Sequence, residues 1–187
     1  MSHTAKRNLI LLLICVAVIW GLRWSALRAH HLSFVPPAMK VSRVLYVAEE
    51  AWGFGPGGNE TGIIVYRMPD AARQRIEADG LDWLNGPSGG GPEWHGHYRN
   101  WHETPFNPDV PGAFDIWALK RRAESCDHGG GIAGYMFRYG FCIPFDSDVE
   151  KLANIALVAP GSYYAFGRIG MLLLIPSENR IIYAYNG

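Results

Sequence analysis

The chain has 187 residues, about one domain's worth beyond a short terminal segment. Apolar residues make up 49% and charged residues 18%, which argues against disorder, a collagen repeat or a multi-span membrane protein. The 17 basic and 17 acidic side chains balance, so the positive excess that accompanies nucleic-acid binding is missing and nucleic acid is not an expected partner.

The strongest local signal comes first. Lys6 and Arg7 precede an uncharged run over residues 8–22, NLILLLICVAVIWGL, which Arg23 ends. As a helix this run extends about 22 Å against a hydrocarbon core of roughly 30 Å, a length typical of a signal-peptide core. The small residues a signal peptidase requires are missing, however: Trp24 stands two before Ala26, and Leu27 two before Ala29. If Arg23 snorkels, residues 24–27 lengthen the span to about 20 residues and set Trp20 and Trp24 at the interface. The expectation is therefore a signal-anchor over residues 1–28 with membrane contact through residues 8–27; a cleaved signal peptide is the alternative. Basic residues flank both ends almost equally, and the short leading tail favours a C-terminal domain on the periplasmic or extracellular side. Without the first 29 residues, which carry Lys6, Arg7, Arg23 and Arg28, 13 basic side chains face 17 acidic ones, a net charge of −4. Such a body has no electrostatic reason to coat anionic lipid.

Residues 29–40, with His30, His31, Pro36 and Pro37, read as a stiff tether. A strand is expected over 41–47, a glycine-rich loop over 53–62 and a second strand over 62–68. Asp70 is placed to cap a helix over 71–78 that turns Ala72 and Ile76 inward and stops at Gly80. Residues 85–92 form a loop, and the three prolines within 104–112 forbid a regular element there. A strand over 135–143 follows, with Gly140 as a bulge, and then a helix over 147–157 capped by Asp146. Strands over 163–168, 170–175 and 180–185 close the chain, the last two joined by a turn at 176–179. The unbroken apolar stretch MLLLI marks a strand covered on both faces or central in its sheet. Strand, proline, aspartate and helix recur at 63–78 and 141–156, a weak echo of duplication.

Together these elements specify an α+β protein: an N-terminal apolar helix, then a single domain over 41–187 with a mainly antiparallel sheet and about two helices on one face. Cys15 lies in the apolar run, which leaves Cys126 and Cys142 as the disulfide candidate; closing that interval would contribute about 3 kcal/mol. Two free buried thiols are the plainer alternative.

Candidate chemistry concentrates in residues 93–102, EWHGHYRNWH. On extended backbone His95 and His97 share a face, and His102 or Glu93 could complete a zinc site with an open position for activated water. That arrangement would make the chain a metal-dependent hydrolase. Packing explains the same residues without a metal, because Trp94, His97, Tyr98 and Trp101 share a helical face. Cys126-Asp127-His128 is too local for a nucleophile and base, and Gly86-Pro87-Ser88-Gly89-Gly90 lacks the strand and helix of a nucleophile elbow. Trp94, Tyr98 and Trp101 form the best candidate contact surface, for a protein partner or, in another reading, for a sugar ring. With no convincing catalytic set and no required cofactor, the expected function is a non-enzymatic, membrane-tethered or exported domain binding a protein partner, an inhibitor or immunity-type module being one form of it. A metal-dependent hydrolase and a glycan-binding module are the alternatives.

Overall fold

The computed structural model describes residues 3–52, 59–86, 98–111, 113, 116–117, 130–138, 142–167 and 170–186. The chain divides into two compact units, Met1–Leu32 and Ser33–Gly187.

The first unit is one helix, α1 (His3–Leu32). Its 30 residues extend about 45 Å at 1.5 Å per residue. Within it Ile10–Leu32, 23 residues, is long and apolar enough to cross a membrane by length and composition. The helix runs beyond the expected end of the anchor because residues 23–32 hold no helix breaker; Pro36 and Pro37 come later. Residues 29–32, read as the start of a tether, are thus the last turn of α1.

The second unit is built on six antiparallel strands: β1 (Val44–Trp52), β2 (Asn59–Arg67), β3 (Arg99–Glu103), β4 (Tyr163–Phe166), β5 (Gly170–Ile175) and β6 (Arg180–Asn186). Their order in the sheet is β1-β2-β6-β5-β4-β3. The last three strands form a meander, and the β1–β2 hairpin joins it where Ile63 pairs with Ala184 and Val65 with Ile182. A tight turn at Pro176–Glu178 links β5 to β6, and Asn179 takes the left-handed conformation (φ 53°) that asparagine tolerates better than most residues. β5 is buried along its whole length between β4 and β6, as its continuous apolar sequence requires.

Helices α3 (Gly131–Met136) and α4 (Ser147–Val158) cover one face. Ile132, Ala133 and Met136 of α3 and Ala153, Ala156 and Leu157 of α4 pack with Ile63, Val65, Met171, Leu173 and Ile182 of the sheet. The opposite face is aromatic. Phe34 stacks on Tyr183 at 4.6 Å between ring centroids and Tyr183 on Tyr185 at 5.2 Å, with Tyr66 buried on the same face of the sheet. Phe34, Val35 and Met39 are therefore part of the domain's core, although their segment reads as a tether in sequence. Gly62 lies opposite Tyr185, and a Cβ there would stand 2.6 Å from the ring, so glycine makes the close approach of the aromatic ring feasible. Helix α2 (Asp70–Leu84) buries Ala72 and Ile76, as expected, and also Leu84.

Four local expectations differ from the structure. The segment expected as a strand over 135–143 begins inside α3, whose six residues are all buried. Only Tyr135 and Met136 of that segment fall in α3, and their burial against the sheet overrides the β propensity of Tyr135. Asn154 Oδ1 accepts from the Ile132 N–H at 2.8 Å, and the Thr61 hydroxyl lies 3.2 Å from the Met136 carbonyl, so side chains from α4 and β2 tie both ends of α3. Asp70 does not cap α2: Pro69 occupies the N-cap position and no side chain accepts there. Asp146 does cap α4, accepting from the Asp148 N–H at 2.7 Å. Gly80 (φ 49°) interrupts α2 as expected, but helix resumes after it as far as Leu84. With no strand over 142–146, the second half of the sequence echo lacks its β element.

Candidate functional site

The sequence concentrates candidate residues just before and within β3. Asn85, which follows α2, holds this strand through its side chain: Oδ1 accepts from the Trp101 N–H at 2.8 Å and Nδ2 donates to the Trp101 carbonyl at 3.3 Å. Arg99 pairs with Phe166 and His102 with Tyr164, so β3 advances three residues while β4 advances two. Asn100 absorbs the extra residue with a positive φ of 57°. On a regular strand Tyr98 and Trp101 would point to opposite faces. The bulge brings both inward, with ring centroids 5.9 Å apart.

Tyr98 is 3% exposed and Trp101 2% exposed, so neither ring is presented at the surface. The Tyr98 hydroxyl donates to the Phe34 carbonyl at 2.8 Å, fastening the first residues of the domain to this region. Trp101 Nε1 is buried without a hydrogen-bond partner among the described residues. An unmet donor of this kind costs about 1–3 kcal/mol. His102 is half-buried and its ring tilts against Tyr164 at 5.5 Å. Trp94 and the other three residues of the metal set, Glu93, His95 and His97, lie outside the described residues. Among the described residues no three His, Cys, Asp or Glu side chains converge on one point.

The electrostatics of the aromatic face are uniform. Burial pushes the phenols of Tyr66, Tyr98, Tyr183 and Tyr185 above their ordinary value. The Glu49 carboxylate reinforces this at Tyr185, whose hydroxyl donates to Glu49 Oε2 at 3.0 Å. Tyr98 and Tyr185 donate hydrogen bonds, and all four rings are packed in the core. No motif or sustained periodicity in the sequence marks this stack. Its only local trace is the alternation of Tyr183 and Tyr185 in β6 together with Gly62 and Gly170, which leave room for the rings.

Cys142 is disulfide-bonded and Cys15 is free, while Cys126 lies outside the described residues. No protein-family model, curated protein or solved structure matches this chain.

Proposed function

We propose that this protein is a membrane-anchored interaction domain in which α1 is the anchor and residues 33–187 form a body on the periplasmic or extracellular side that binds a protein partner without catalysis. The observation that carries the reading is α1 itself: Ile10, Leu11, Leu12, Leu13 and Ile14, and beyond them Val18, Ile19 and Trp20, are all more than half exposed. Each fully exposed side chain of this size forgoes about 1.5–3 kcal/mol of burial in water, which a bilayer would recover. The second unit has its own sheet, its own helices and a closed core, as an independently folded cargo of an anchor should. The bonded state of Cys142 supports an oxidising compartment, and we assign Cys126 as its partner.

In this reading the partner meets the segment between Gly86 and Gly112, with Trp94 as the aromatic contact. Tyr98 and Trp101, buried in the body, serve packing in this reading and do not contact the partner. An inhibitor or immunity-type role suits a body whose described tyrosines serve packing and whose sequence offers no convincing catalytic set.

The experiment is affinity capture of the full chain from detergent-solubilised membranes, comparing wild type with Trp94→Ala. The reading expects a stoichiometric partner recovered with wild type and at least ten-fold less with the variant, at unchanged thermal stability. Equal recovery with both proteins would reject this surface.

A further inference from the structure

We draw no further inference here: the strongest candidate, the exposed apolar pair Ile155 and Val158 near the C-terminal end of α4, carries nothing because nothing in the structure shows what covers it.

Discussion

Two short apolar runs in this protein are identical in sequence, Leu-Leu-Leu-Ile, and opposite in fate. Leu11, Leu12, Leu13 and Ile14 of α1 are 53–60% exposed, whereas Leu172, Leu173, Leu174 and Ile175 of β5 are at most 2% exposed. The strand is flanked by β4 and β6 and has apolar side chains on both faces of the sheet, so every residue finds a neighbour. The helix surrounds itself with leucine, isoleucine and valine on all sides, and a cylinder that is apolar all round must be buried somewhere. Apolar character alone therefore does not separate core from anchor; the difference lies in whether the fold supplies the second surface. In the proposed reading, lipid supplies it for α1.

The sharpest way to break this contrast is to place charge in one run. Ile14→Arg combined with Val18→Arg should cost about 5–7 kcal/mol of membrane insertion, at roughly 2.5–3.5 kcal/mol per arginine near a helix centre. Alkaline extraction of membranes should then release most of the variant while wild type is retained. Equal retention would mean that α1 is held by something other than lipid.

A second test addresses the domain. A phenol whose folded-state pKa lies above its unfolded value of about 10 leaves stability untouched below that pH. Stability is lost as pH rises above it, because the unfolded chain ionises first. With Tyr66, Tyr98, Tyr183 and Tyr185 all raised, the full chain in detergent should hold its near-ultraviolet dichroism to about pH 10. Above that pH it should unfold cooperatively, and much of the phenolate absorbance should appear in the same step. Smooth ionisation of every tyrosine near its ordinary pKa, with the fold intact, would show that the stack is open to solvent.

The smallest effect separates the two units at single glycines. Gly62→Ala forces Tyr185 to shift and should lower stability by about 1–3 kcal/mol, read as a reduced melting temperature. Gly21→Ala meets open space on α1 and should leave that temperature unchanged. A neutral Gly62→Ala would mean that the Tyr185 ring does not rest on the strand.

Much of the fold was legible because the signals were local. β5 and β6 follow from an apolar run, a turn at Pro176–Glu178 and a second apolar run, and α4 follows from Asp146 and the helical spacing of Leu152, Ala153 and Ala156. α3 was not legible because complete burial erases periodicity: with every side chain inside, no polar face marks its turns. β3 was hidden for another reason, since the bulge at Asn100 breaks the alternation that identifies a strand. The aromatic face depends on contacts between residues as distant as Phe34 and Tyr183, which no window of sequence contains. The candidate site was legible only as a list of residue types. Residue type alone marks Trp101 as a surface anchor, whereas its burial depends on Asn85 and the bulge, both of which require the folded chain.

Flotation of the unmodified full chain with membranes through a density gradient, at alkaline pH and without detergent, tests the anchor most directly. The account predicts that the chain rises with the lipid and stays there after peripheral proteins have been stripped. Full-length protein left at the bottom of the gradient, soluble and monodisperse, would contradict it.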